Sequence, residues 1–214
     1  MLLNNPTLDY LPQHIIDLIP KHEKGNNRDT IVFKTSAIEL ASSNFVFIKQ
    51  RLLNVNNWGN FCTKTPVEFK VYDSNCSLNE GYVNLNDCIK IQIDLPKFSR
   101  RLSELVSDWV EVVRIEEHTD SNFAYFLMQL APIECPSKET KEIEHFYSNN
   151  ATNTFILYRN NQTISLSIHG RNEEVNFKVK SKTKAFRNFL VANFGVIGID
   201  NYLWNDFAIK ILKH

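Results

Sequence analysis

The alternation of apolar and polar residues through the middle of the chain constrains its fold more than any other feature. In the stretch CIKIQIDLP, the apolar residues Ile89, Ile91 and Ile93 are separated by single polar residues. The stretch VEFKVYD, residues 67–73, alternates in the same way. A period of two is typical of strands that bury one face and expose the other, as antiparallel sheets commonly do. We therefore predict half-buried antiparallel strands in this region.

Further strands are predicted on both sides of this region. The run TIVFKT, residues 30–35, is rich in the β-branched and aromatic residues that favour strands. DWVEVVRIEE (residues 108–117) and NFAYFLMQLAPI (residues 122–133) are separated by a short polar turn, and the second is apolar on nearly both faces, which indicates a central strand. TFILYRNNQTISLSIHG is predicted to be a hairpin, because Asn160 and Asn161 tolerate the positive φ of a tight turn.

A long helix is predicted directly after the first of these strands. Ser36 and Glu39 have the spacing of a capping box, in which both side chains bond free backbone N–H groups at a helix start. The residues that follow carry an apolar stripe at steps of three and four, which is typical of a helix packed on a core. The stripe consists of Ile38, Ala41, Phe45, Ile48, Leu52 and Val55. We expect this helix to end within residues 54–59.

Helical spacing returns near the C-terminus. We predict one helix over residues 182–194, a break at the glycines that follow, and a second helix capped by Asp200. The inner face of that second helix is predicted to consist of Leu203, Phe207 and Ile211. A short helix is also predicted over residues 137–148, between two of the strands.

The length and apolar content of the chain indicate one core. At 214 residues and 43% hydrophobic content, the chain can bury one sizeable core, and nothing in its length requires a second. Residues 1–29 have little periodicity, so we expect a loosely packed N-terminal arm followed by a single α+β domain over residues 30–214. The four cysteines are too irregularly spaced for a zinc site or a redox pair, and we expect them to be buried.

The charge balance bears on the partners and the location of the protein. Lys+Arg and Asp+Glu number 24 each, so the chain lacks the positive excess that drives binding to nucleic acid or anionic membranes. The N-terminus has no basic start followed by an apolar run, and no apolar stretch has the length of a membrane span. We therefore expect a cytoplasmic protein without nucleic-acid or membrane partners.

No sequence signature of a metal or a cofactor is found. The six histidines lack the i, i+4 spacing of a helical zinc site, so we predict no metal centre. A Gly-rich phosphate loop, a dinucleotide fingerprint and a nucleophile elbow are all missing from the sequence, so we expect no cofactor.

The order of these elements, a strand, a long helix, about six antiparallel strands and C-terminal helices, resembles the START-like or Bet v 1-like helix-grip fold. That resemblance implies one curved antiparallel sheet of about six or seven strands, packed on the long N-terminal helix and the C-terminal helices around an apolar cavity. The predicted helix over residues 137–148 and the broken C-terminal helix depart from the pattern. Separately, SNNATNTFILYR to ISLSIHGRNE, residues 148–173, resembles bacterial proteins of unassigned function and implies no chemistry.

One glycine, in the stretch SIHGRNEEVN, follows a histidine and precedes an arginine at a predicted strand end. In an extended chain, His169, Arg171 and Glu173 share one face with other polar residues, while the apolar residues share the other. This pattern favours a solvated face that ends in a glycine-assisted bend. The alternative is a polar cluster at a cavity rim, with Arg171 as a fork for a carboxylate or phosphate and His169 as an acid or base.

Three further residues complete the candidate ligand site. Asp94 and Asp108 flank the loop PKFSRRLSELVS, and two carboxylates that face each other across a cleft are suited to acid–base chemistry, although such charges are usually solvated. Trp58 and Trp109 belong to a set of aromatic residues that either line an apolar cavity or form an ordinary core.

Three functions fit this sequence. The first is a helix-grip binding domain for a small apolar or amphipathic ligand, which rests on fold analogy. The second is a cofactor-independent cyclase or isomerase that uses His169 and Arg171 with Asp94 or Glu173 in one pocket. The third is an interaction or assembly protein with an exposed apolar patch. The sequence leaves open whether the protein is an enzyme.

Overall fold

The computed structural model describes residues 2–4, 8–63, 67–93, 107–134, 136, 150–174 and 198–213. Within these ranges the chain forms one antiparallel sheet of nine strands. The strands are β1 (Leu2–Asn4), β2 (Asn26–Thr35), β3 (Val67–Tyr72), β4 (Leu78–Asn79), β5 (Cys88–Ile93), β6 (Ser107–Thr119), β7 (Phe123–Pro132), β8 (Thr152–Asn160) and β9 (Thr163–Glu173). Their order across the sheet is β1-β2-β9-β8-β7-β6-β5-β3-β4.

The predicted single antiparallel sheet is confirmed, but the strand count of six or seven is too low. The difference lies in the two edge strands, β1 and β4, which have three and two residues and are too short to show alternation. Turns are found where they were predicted: Asn161 has a φ of 50° between β8 and β9, and Asp120 accepts two backbone N–H groups between β6 and β7. Asn160, which was also predicted to lie in the turn, is instead the last residue of β8. The first long strand, β2, begins at Asn26 rather than at Thr30.

Three α-helices lie in the described ranges: α1 (Gln13–Ile16), α2 (Ile38–Leu53) and α3 (Gly198–Lys213). Short 3-10 helices cover Leu8–Tyr10 and Val55–Phe61. The order of a strand, a long helix, antiparallel strands and a C-terminal helix is consistent with the helix-grip arrangement. The helices predicted over residues 182–194 and 137–148 lie outside the described residues.

Two predicted helix starts are wrong. Helix α2 begins at Ile38 with Ala37 as its N-cap, and no side chain caps it. The helix therefore begins one residue later than the capping box requires, and the hydroxyl of Ser36 instead accepts a hydrogen bond of 2.6 Å from the side-chain amide of Asn44. Helix α3 begins at Gly198, two residues before Asp200.

The inner face of the sheet carries the main core. Helices α2 and α3 and the 3-10 helix between Val55 and Phe61 pack against it, and Trp58 lies at the centre of an aromatic cluster. The ring of Trp58 lies within 5.0–6.1 Å, between centroids, of the rings of Phe69, Phe155, Trp204 and Phe207. The apolar stripe of α2 is buried as predicted, except for Ile38, and so are the three predicted inner residues of α3.

The outer face of the sheet is covered by the N-terminal segment. Leu11 and Ile15 pack into a second apolar cluster with Ile31, Leu127 and Ile156 of the central strands. The expectation of a loosely packed arm is therefore wrong for residues 8–20, because the apolar residues around HIIDLI complete a core rather than lie on a polar surface.

The cysteines are buried only in part. Cys62 and Cys88 are buried, but Cys76 is exposed in the turn between β3 and β4 and adopts a φ of 62°. Cys76 lies in a tight surface turn, in which the Asp73 carboxylate accepts from the backbone N–H groups of Asn75 and Ser77. Its thiol therefore does not reach the core. Cys135 lies outside the described residues.

We expect Ile15→Ala to lower the free energy of unfolding by about 2–4 kcal/mol, because the wild-type side chain is fully buried in the outer cluster. Ile38→Ala is the matched control, since Ile38 is 70% exposed and its truncation should change stability by less than about 0.5 kcal/mol. Urea denaturation measures both. Equally small effects at the two positions would show that the N-terminal segment is not part of the core.

Candidate functional site

A polar cluster, buried except for its aspartate, lies on the outer face, where β2 and β9 pair. Asp29 stands directly opposite His169, and the His169 Nδ1 lies 2.6 Å from the Asp29 Oδ1. Arg171 donates from Nη2 to the same oxygen at 2.7 Å. We call Asp29, His169 and Arg171 the outer cluster. Its histidine and arginine are buried, so the predicted solvated face at this strand is wrong.

The guanidinium of Arg171 makes three hydrogen bonds within the protein. Besides Asp29, it donates from Nη1 to the carbonyl oxygens of Gly170 at 2.8 Å and Arg28 at 3.1 Å. The bonds to Arg28 and Asp29 join β9 to β2 at the end of the pairing. The arrangement resembles a structural clamp more than an open fork for a ligand anion.

The electrostatics of the outer cluster favour a charged carboxylate and a neutral imidazole. Burial raises the pKa of Asp29, but the hydrogen bonds and positive charges of His169 and Arg171 outweigh it and hold that pKa below its usual value. Burial lowers the pKa of His169 below 6.5, helped by the charge of Arg171 and opposed by Asp29. Because the carboxylate only accepts, the Nδ1 of His169 is assigned as the donor.

Glu173 does not join this cluster. Asn172 adopts a left-handed conformation with a φ of 56°, which breaks the alternation of β9. The Glu173 carboxyl carbon lies 2.9 Å from where a Cβ at Gly170 would stand. In an extended strand that Cβ would point away from the face of His169, so Glu173 lies on the inner face.

On the inner face Glu173 forms an ion pair with Arg28. Arg28 pairs with Gly170 across the ladder, and Gly170 pairs with Asn153 on its other side, so all three positions share the inner face. Thr30 follows Arg28 on the same face and is buried. We call Arg28, Thr30, Asn153 and Glu173 the inner polar end. The glycine is needed because the Glu173 carboxylate fills the place of a side chain.

The two tryptophans are placed on different faces. Trp58 is buried in the inner aromatic cluster and donates from Nε1 to the carbonyl of Leu52 at 3.1 Å. Trp109 pairs with Lys90 on the outer face, and its ring lies 5.1 Å from that of Tyr72. Asp94 lies outside the described residues. The predicted ligand residues therefore do not converge: His169, Arg171 and Trp109 lie on the outer face, whereas Glu173 and Trp58 lie on the inner face.

The sequence analysis missed Asp29 and Arg28. Asp29 is the partner of His169 and Arg171 in the outer cluster, and Arg28 is the partner of Glu173 in the inner polar end. Both stand in the stretch NNRDTIVF, and their roles depend on the register between β2 and β9, which spans about 140 positions of the chain. The adjacent opposite charges directly before a predicted strand were the available signal.

In the part of the chain that the structure describes, no group of three or more histidine, cysteine, aspartate or glutamate side chains is placed to hold a metal ion. Among those same residues, no helix has the length and apolar character needed to cross a membrane.

Comparison with known proteins gives weak structural likenesses only. No family model matches the chain, and neither does any curated protein. A hypothetical protein from Helicobacter pylori is similar in structure, with a TM-score of 0.46, 12% identity and 93% of each chain covered. Ara h 8.0201 has a TM-score of 0.38 and 6% identity, with 88% of this chain and 100% of that chain covered. A major latex-like protein from Panax ginseng has a TM-score of 0.32 and 13% identity, with 80% of this chain and 96% of that chain covered. TM-scores this low carry no argument about function.

We expect the stability of the protein to fall as the pH decreases below 6.5. The lowered pKa of His169 means that the unfolded chain binds more protons than the folded chain between that pKa and 6.5. The free energy of unfolding is therefore independent of His169 above pH 6.5. Below pH 6.5 it decreases, by at most about 1.4 kcal/mol per pH unit. Denaturant unfolding at several pH values measures the slope.

His169→Gln is the control for that experiment, because it removes the titrating imidazole and should flatten the slope between pH 7 and 5. Asp29 does not contribute to the slope between pH 7 and 5, since its pKa is lowered and its protonation affects stability only at more acidic pH. A His169 imidazole that titrates at or above 6.5 by NMR would contradict the placement.

We expect Gly170→Ala to destabilise the fold by about 1–3 kcal/mol, because the new Cβ would meet the Glu173 carboxylate. The same substitution in a Glu173→Ala background should cost clearly less, since the obstructing group is gone. A double-mutant cycle of denaturation free energies measures the difference. Additive effects of the two substitutions would show that Glu173 does not lie over Gly170.

Proposed function

We propose that the protein binds a small, uncharged amphipathic molecule between the inner face of its sheet and helices α2 and α3. The observation that carries this proposal is a buried ion pair, Arg28–Glu173, at the end of an otherwise apolar and aromatic face. Pockets for small molecules usually combine an apolar lining with a few placed polar groups. The helix-grip order of elements supports the same function by analogy.

The apolar part of the ligand would lie along the aromatic cluster. Phe155 stands two positions from Asn153 on β8, so the aromatic cluster and the inner polar end are neighbours on one strand. The ring of Phe155 lies 5.0 Å from that of Trp204 and 5.1 Å from that of Trp58. An apolar chain placed between α3 and the sheet would contact these rings.

The polar end of the ligand would meet the inner polar end of the protein. Buried charges away from water are costly unless they are paired, and such pairs are candidates for functional sites. A charged head group would compete for one member of the Arg28–Glu173 pair and leave the other uncompensated. A hydroxyl or carbonyl head can bond the pair or Asn153 without breaking the pair, so the ligand is expected to be uncharged.

Decanol, decanoic acid and decylamine make a matched test, since they share a chain and differ in the head group. We expect decanol to bind most tightly and to quench tryptophan fluorescence, because two of the three tryptophans lie in the inner cluster. Isothermal calorimetry gives the affinities. Trp204→Phe should reduce the quenching, whereas the control Trp109→Phe should leave it unchanged, because Trp109 lies on the outer face.

A folded protein that shows no binding or quenching up to the solubility of decanol would contradict the proposal. Tighter binding of decanoic acid or decylamine would contradict the predicted preference for an uncharged head group, but it would still support a ligand site on the inner face. The enzyme hypothesis is wrong where it uses Glu173, because the Glu173 carboxylate and His169 lie on opposite faces of the sheet. Its version with Asp94 stays a prediction, since Asp94 lies outside the described residues. A cytoplasmic location stays a prediction.

A further inference from the structure

Three buried polar atoms on the outer face have no hydrogen-bond partner among the described residues. They are the Nε2 of His169 and the Oγ1 atoms of Thr152 and Thr154. A buried donor or acceptor without a partner is unfavourable, and folded proteins rarely keep one unless water or a ligand bonds it. Three such atoms in one place indicate a shared occupant.

The register of the sheet brings these atoms together. Thr154 stands directly opposite His169 on the neighbouring strand, and Thr152 stands opposite Arg171. Cross-strand neighbours have Cβ atoms about 4.5–5.5 Å apart, and residues two apart on a strand share a face. His169 and the two threonines therefore line one small patch of the outer face, beside Asp29.

The chemistry of the patch selects its occupant. Because the Nδ1 of His169 donates to Asp29, the Nε2 carries a lone pair and needs a hydrogen-bond donor. The threonine hydroxyls can accept or donate. Arg171 and Asp29 form an ion pair beside the patch, so the patch has no excess charge that would attract an ion. An anion without a proton also cannot donate to Nε2. An O–H group satisfies all three atoms.

Residues 18–24 cross the outer face beside this patch. Arg114 on β6 donates from Nη1 to the carbonyl of Leu18 at 3.1 Å. At the other end, the Asn172 side chain on β9 accepts from the backbone N–H groups of Glu23 at 2.8 Å and Lys24 at 3.2 Å. Since β7 and β8 lie between β6 and β9, the segment spans the width of these two strands.

We propose that the outer face holds a closed binding site for one hydroxyl group, formed by His169, Thr152 and Thr154 and covered by residues 18–24. The hydroxyl belongs either to an internal water molecule or to a small alcohol. The site is independent of the proposed inner ligand, because the sheet separates the two. Exchange of the occupant requires the covering segment to lift from Asn172.

Thr154→Val tests the site, because it keeps the shape of the side chain and removes one hydroxyl. If the site is occupied, this variant loses a bond to the occupant and its Tm should fall by about 2–4 °C. Thr154→Ser keeps the hydroxyl and should retain the wild-type ¹⁵N shift of the His169 Nε2. Ser167→Ala is the control, since that buried hydroxyl already bonds the Ile156 carbonyl.

Ethanol distinguishes the two sources of the hydroxyl. If the site takes an alcohol, ethanol should shift the His169 Nε2 signal saturably in the wild type and in Ser167→Ala, but not in Thr154→Val. If the site holds water, ethanol should change nothing, and the Thr154 methyl should show NMR cross-peaks to a bound water. A higher Tm for Thr154→Val, with no water cross-peak and no ethanol response, would overturn the proposal.

Discussion

The hairpin of β8 and β9 is buried on both faces, and the rest of the structure depends on how each face is covered. On the inner face, helices α2 and α3 bury Phe155, Leu157 and Ile168. On the outer face, the N-terminal segment buries Ile156 and packs against its neighbours. Polar side chains of β9 that would ordinarily be solvated are therefore inside the protein, where each needs a partner.

The reversal at Asn172 divides the polar residues of β9 between the two faces. Before it, His169 and Arg171 meet Asp29 on the outer face. After it, Glu173 turns to the inner face and meets Arg28. One left-handed residue and the glycine that leaves room for the carboxylate thus produce two separate polar sites. Each compensates a buried charge, but only the inner one adjoins the aromatic cluster.

Local patterns predicted much of this fold. The apolar stripe of α2 and the inner residues of α3 follow from helical periodicity, and the Asn161 turn follows from backbone preference. The sequence of β9 could not predict that the N-terminal segment covers the outer face. The alternation of apolar and polar residues in β9 is the same whether water or another segment faces its polar side. The sequence signals for this cover are the two-sided apolar character of TFILYR and the apolar residues of HIIDLI. The partners Asp29 and Arg28 required the register of β2 against β9, which no local pattern specifies.

Thiol labelling of Ser167→Cys tests the two-faced burial most directly. Ser167 is fully buried on the outer face, whereas the native Cys76 is exposed and reacts as an internal standard. After subtraction of wild-type labelling, the new thiol should react only as fast as the protein unfolds, and denaturant should accelerate it accordingly. A new thiol that labels in native buffer as quickly as Cys76 would contradict the covered outer face and the hydroxyl site proposed on it.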